Sequence, residues 1–275
     1  MTAVAEPPVR GVWLPIGRLT RAVTATERLW YGVAGFVGIS LLWEGAGDLG
    51  LFRKSLLSTP SLIWNAAVKD FGSGIILPHI TTSLIEFGLG LLVALAVGIP
   101  LGLAIGMFKR LDAFVSVLLY GIYSTPKVAI APLILLVFGI GLEAKLVLVF
   151  LLTIFAVVVS TLAGVHSVAE RYLDITRSFG ASRWLAFQTV VLPSTLPFIL
   201  SGIRIGTGRA LVGVVTAEFL AANEGIGFYI GFYGSLLDTS RVMLGVILLG
   251  AFGLAIGELV RLIEQRFEVW RPEIR

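Results

Sequence analysis

Cysteine is absent from this chain of 275 residues. Its absence excludes disulfides, thiolate metal sites and cysteine nucleophiles. Histidine is nearly absent: His79 and His166 stand far apart, and each reads as a structural side chain at a helix end rather than a metal ligand. Charge is scarce as well, 14% of residues, where a soluble domain carries about 25%. No polar block is long enough to build a separate soluble domain. Several chemical signatures are missing too. No G-x-x-x-x-G-K-[ST] run offers a phosphate cradle. No G-x-S-x-G elbow, H-E-x-x-H pair or dinucleotide-binding glycine loop occurs. Glu86, Glu218 and Glu258 fall on three different apolar segments, so they do not line up as a proton relay. A protein of this kind that moved a solute uphill would take its energy from a partner.

What is present is apolar. Hydrophobic residues make up 57% of the chain and glycines number 32, and the mean hydropathy is +0.95. The expected fold class is all-α, a polytopic membrane protein with about six transmembrane helices. Residues 1–28 form a basic tail and 29–43 a first apolar run. That run has the basic flank of a signal peptide, but the apolar segments after it favour an uncleaved anchor of marginal length. Residues 45–78 are mixed and expected outside the cytoplasm, with an amphipathic piece near 62–68, so that 29–79 holds the first span and this segment. Further spans are expected at 84–107, 113–140, 146–165, 196–220 and 242–262. The third is broken at "STPK", residues 124–127. Non-helical backbone at membrane depth needs cover from protein or a water cavity. In the second span Gly90, Ala94, Gly98, Gly102 and Gly106 recur every four residues, a ridge for close helix packing. Packing within the chain is the plainer reading of it and a dimer seam the alternative. Pro100 predicts a kink.

With six spans, both termini share a side. Cytoplasmic placement of the termini puts thirteen Lys and Arg on the inner flanks and five on the outer. The positive-inside rule therefore gives N-in and C-in, with the segment "DITRSFGASRWLAFQTVVLP" at 174–193 in the cytoplasm. Tyr172, Ile175 and Phe179 form one helical stripe there. Gly180 stops that helix, and Ser182 is placed to cap a second one that Pro193 closes. The stripe either packs on the chain's own spans or docks into a partner's groove.

The same segment resembles the cytoplasmic motif E-A-A-x3-G-x9-I-x-L-P of permease subunits of bacterial ABC importers. Asp174 stands for the acid, Gly180 and Leu192-Pro193 are kept, and Val190 replaces Ile. Ile175 and Thr176 depart from the two alanines. "FGIG" at 138–141, "GASRW" at 180–184, "LPFILSGIRIGTGRA" at 196–210, "AEFL" at 217–220 and "GIGF" at 225–228 are similar to the nitrate/sulfonate/taurine branch. The resemblance covers residues 80–270, a permease core of the type I importer kind with a coupling loop at 166–193, leaving 271–275 as a short tail.

It implies the membrane subunit of an ATP-driven importer in the bacterial inner membrane, forming the path for a small anion. The implied partners are a second permease chain, two cytoplasmic ATP-binding subunits holding ATP and Mg, and a periplasmic or lipid-anchored binding protein. The chain itself would hold no cofactor and catalyse nothing. Asp174, Ile175, Thr176, Gly180, Ala181, Ser182, Arg183 and Pro193 would couple it to the ATPase. Arg204 and Arg209 lie about 12 and 20 Å along the fifth span at ~1.5 Å per residue. Either they line an anion vestibule, or Arg204 snorkels and Arg209 pairs within the bundle. Lys127 is a further candidate for meeting an anion. Glu218 either gates the outer end or holds the "AANEGIG" loop. A self-contained secondary transporter is the competing reading. It predicts inverted repeats with paired broken helices, and one broken span is evident. An intramembrane enzyme is a third reading, and it lacks any nucleophile–base or metal constellation.

Overall fold

The computed structural model describes residues 25–53 and 56–267. The tail at 1–24 and the end at 268–275 lie outside that range. All described elements are helical. Helix α1 is Ala25–Asp48, in a unit of its own that ends at Phe52. The second unit holds α2 (Pro60–Gly72), α3 (Ile76–Met107), α4 (Lys109–Ser124), a 3-10 turn over Lys127–Ile130 and α5 (Ala131–Phe138). It continues with α6 (Leu142–His166), α7 (Glu170–Ser178), α8 (Arg183–Ala186), α9 (Leu192–Ala221), α10 (Ile226–Ser235) and α11 (Thr239–Phe267).

Four helices among the described residues are long and apolar enough to cross a membrane: 76–107, 142–166, 183–220 and 239–266. The pair α4 and α5 makes a fifth if its 83° bend belongs to one span. The break falls at residues 124–127, where the sequence placed it, because Pro126 cannot continue the helix. The first apolar run lies in α1, which is not among the four.

Helix α6 is the axis of the bundle. On one side the small-residue ridge of α3 runs along it. A Cβ at Gly90 would stand 2.4 Å from Val149 Cγ1, and one at Gly102 only 2.9 Å from the Val158 carbonyl oxygen. Ala94, between them, has no exposed surface. On the other side Gly202, Gly206 and Gly213 of α9 meet Ser160, Val157 and Val149, and Ala210 is fully buried. Val149 and Val157 are thus gripped from both faces. Lipid tails give no hydrophobic drive between helices, so this backbone proximity supplies the packing. The ridge on α3 therefore serves packing within the chain. Helix α3 continues through Pro100, and α6 begins at Leu142, four residues before the span expected at 146–165.

Candidate functional site

At one end of the bundle the chain leaves α6 and forms the segment that the motif search singled out. Helix α7 contains no buried residue. Its stop is a Schellman turn: Gly180 sits at φ +71°, its N–H donates to the Arg177 carbonyl at 2.9 Å, and the Ala181 N–H donates to the Thr176 carbonyl at 3.0 Å. These two bonds satisfy carbonyls that the helix end would otherwise leave unpaired. Ser182 then caps α8 by accepting from the Leu185 N–H at 3.2 Å. Asp174 accepts from Arg177 at 3.0 Å, both side chains exposed. Thr176 and Ser178 hydroxyls donate to the carbonyls of Leu173 and Asp174, so the helix is internally satisfied.

The stripe faces outward. Tyr172, Ile175 and Trp184 are about half exposed or more, and Phe179 is 86% exposed. The inner face belongs to other residues: Leu173, Ala181 and Phe187 line a cavity of about 550 Å³ with Met107, Lys109 and Val165. The apolar stripe is thus left without cover in the single chain. Arg183 opens α8 and lines the same cavity.

Pro193 does not close the second helix. A π segment over Phe187–Val191 follows α8, its Leu192 N–H donating to the Phe187 carbonyl, and the helix runs on from 183 to 220. The π register change absorbs a proline in the first turn of α9, where its missing N–H breaks no ladder bond.

The opposite end carries a buried polar cluster. Glu218, 1% exposed, accepts from Ser83 Oγ at 2.5 Å and from the Gly227 N–H at 2.6 Å. Ser83 Oγ in turn accepts the Ile226 N–H at 2.9 Å. The Gly225 N–H donates to His79 Nδ1 at 3.1 Å. Gly225, at φ +117°, admits no side chain because a Cβ would meet Glu218 Cδ at 2.3 Å. Glu218 therefore holds the 222–227 loop. Beside it the buried pair Lys145–Glu86 closes at 2.5 Å, and Glu86 Oε2 has no hydrogen-bond partner.

Asp70 of α2, with no exposed surface, accepts two bonds from Arg241 at 2.7 and 2.9 Å and one from Tyr229 at 2.6 Å. Burial pushes the Asp70 carboxyl up, but the bonds from Arg241 and Tyr229 outweigh it and hold the group below the usual carboxylate range. Burial and the Asp70 bond push the Tyr229 hydroxyl up. The sequence reading placed Lys145 and Arg241 among outer loop charges. Their partners Glu86 and Asp70 lie 59 and 171 positions away, beyond any local pattern.

Of the cations read along the fifth span, Arg204 forms an ion pair with Glu264 of α11. Arg209 and Lys127 line one cavity of about 450 Å³ at the break in the bent span. His166 sits at the other end of α6, 2.9 Å from Asp112. Among the described residues no group of three or more His, Asp or Glu could hold a metal ion.

A family model described as the inner membrane component of binding-protein-dependent transport systems matches residues 98–269. The taurine transport system permease protein of Escherichia coli (strain K12) is 32% identical over 98% of this chain and 94% of its own length. A Bacillus subtilis (strain 168) protein named as an aliphatic sulfonates transport permease is 29% identical over 85% of this chain and 84% of its own. Among solved structures, an inward-facing methionine ABC transporter covers 72% of this chain and 96% of its own, with TM-score 0.61 and 15% identity; at that identity the likeness is one of fold.

Proposed function

Because the chain belongs to the family of binding-protein-dependent transport system inner membrane components, we propose that two copies of it enclose a path for a small anion, and that loop 166–193 seats on separate ATPase subunits. The chain is the permease subunit of an ABC importer, a transport component of the multi-pass inner-membrane kind. A self-contained secondary transporter is not favoured. Taurine and other sulfonates are the solutes that the names of the two relatives support; nitrate rests on the resemblance of the sequence motifs alone.

The observation that carries docking is the uncovered stripe Tyr172, Ile175 and Phe179 on a helix stopped by a locked turn. Burying such side chains in a groove gains on the order of 1.5–3 kcal/mol each. A rigid turn lets a push on α7 travel into the 183–220 helix rather than dissipate in a loop. Asp174, Gly180, Ala181 and Ser182 shape that lever. Ile175, with Tyr172 and Phe179, supplies contact area, and Thr176 anchors the Schellman turn through its carbonyl. Arg183 sits at the α8 start, and Pro193 passes the motion into α9.

ATP and Mg are bound by the partner subunits, and a periplasmic or lipid-anchored binding protein delivers the solute at the Glu218 end. The positive-inside count supports cytoplasmic termini and a cytoplasmic loop.

Gly180→Ala isolates the lever. Its Cβ meets nothing within 4 Å, so the substitution acts only through the left-handed backbone, roughly 1–2 kcal/mol. Co-purification from membranes should recover an ATPase subunit with the wild type and severalfold less with Gly180→Ala or Phe179→Asp. Equal recovery with both variants would remove the loop from the interface.

A further inference from the structure

We propose that Lys127 and Arg209 form a two-point subsite for one small oxyanion, the charged end of the transported solute, in a groove between the bent span and α9 where Arg209 is exposed in the single chain and Lys127 half-buried. The inference rests on the importer reading above and deepens it.

Arg209 lies past the midpoint of α9. Lys127 starts the 3-10 turn after the break in the bent span. Though 82 positions apart, both line one cavity of about 450 Å³, together with Tyr123, Thr125, Leu152 and Val212. No carboxylate of the described residues lines it. Other cations along the spans are neutralised: Lys145 by Glu86, Arg204 by Glu264, Arg241 by Asp70 and Arg261 by Glu258. Among the described residues neither Lys127 nor Arg209 has such a pair.

The donors suit an oxyanion. Lys127 Nζ spends two hydrogen bonds on backbone, donating to the carbonyls of Tyr123 at 2.9 Å and Thr125 at 3.2 Å. An ammonium has three donors, so one is left. The ring faces of Tyr123 and Phe155 stand 5.4 and 5.1 Å from Nζ, and with the backbone bonds they fix where it sits. Arg209 brings a planar fork that binds two oxygens of one group. Two like charges at one cavity repel each other, and at membrane depth a charge is costly unless it faces a cavity or a partner. An anion between them turns that repulsion into two attractions. A sulfonate or nitrate has enough oxygens to satisfy both cations at once. A neutral solute does not, so the pair selects by charge inside the membrane, independently of the binding protein.

The test is direct binding of radiolabelled taurine, and of ethanesulfonate as competitor, to the detergent-purified permease–ATPase complex without its binding protein. Wild type should bind saturably, more weakly at high salt. Lys127→Gln and Arg209→Gln should each weaken binding at least tenfold, while Lys127→Arg and Arg209→Lys restore much of it. Absence of saturable binding in wild type, or binding unchanged in both glutamine variants, overturns the proposal. A carboxylate of a second copy filling the cavity would show as the first of these outcomes. ATP-driven uptake with the binding protein present is measured in parallel. Absence of ATP-driven uptake by a wild type that binds taurine saturably, with binding weakened in both glutamine variants, would count against the importer reading and leave this site standing; robust uptake by both glutamine variants with unchanged binding would do the reverse.

Discussion

Ser83 Oγ accepts the Ile226 N–H and donates to Glu218, which also accepts the Gly227 N–H. Two side chains and a glycine turn therefore lock the α9–α10 loop against the start of α3, and the carboxylate is enclosed by what it holds. Asp70 does the same for α2, α10 and α11 through Arg241 and Tyr229. Its pH dependence has a definite sign. A carboxyl held below its ordinary value of 3.8 stabilises the fold fully above that value. The contribution fades as pH falls through the lower folded value. Thermal unfolding in detergent should show a wild-type loss beginning below about pH 4 that Asp70→Asn lacks. At pH 7 Asp70→Asn should already cost about 3–5 kcal/mol, because it leaves Arg241 short of its buried partner. A variant as stable as wild type at pH 7 would contradict that role.

Helices in this chain are fixed by backbone proximity more than by side-chain bulk. The four-residue spacing of small residues on α3 was legible because its period matches a helix face, and the structure places that face on α6. Gly102→Ala should destabilise by about 1–3 kcal/mol through overpacking, since its Cβ would press the Val158 carbonyl at 2.9 Å. Gly88→Ala, with nothing within 4 Å, should be neutral or gain about 0.5–1 kcal/mol. Differential scanning of the two variants separates them, and equal stabilities would argue against a glycine seam. The start of α3 was not legible. Polar residues 81–83 hide eight residues of helix, yet Thr81 returns its hydroxyl to the Leu77 and Pro78 carbonyls, and Thr82 and Ser83 find acids on another helix or loop. The glycine stop at 180 was legible from composition alone, because only glycine takes that turn without strain. The π segment before Pro193 was not, since a proline at a helix start and a proline that ends a helix look alike in one sequence.

At the scale of the whole molecule, two ends with opposite character share one α6-centred bundle. One end is a buried, hydrogen-bonded latch. The other presents an uncovered apolar stripe on a locked turn. Between them lie Lys127 and Arg209, which have no carboxylate partner among the described residues. The absence of any nucleotide motif pointed outside the chain for energy, and the family model describes an inner membrane component of a transport system. What a single chain could not make legible was the set of long-range ion pairs, which depend on how helices assemble rather than on local spacing. The most direct measurement is taurine accumulation by proteoliposomes holding this permease, its ATPase and its binding protein. Accumulation should require ATP and the ATPase on the lumenal face and the binding protein on the outer face, and should fall to background without hydrolysis or with the permease alone. Accumulation by the permease alone, driven by an ion gradient and indifferent to ATP, would contradict the account.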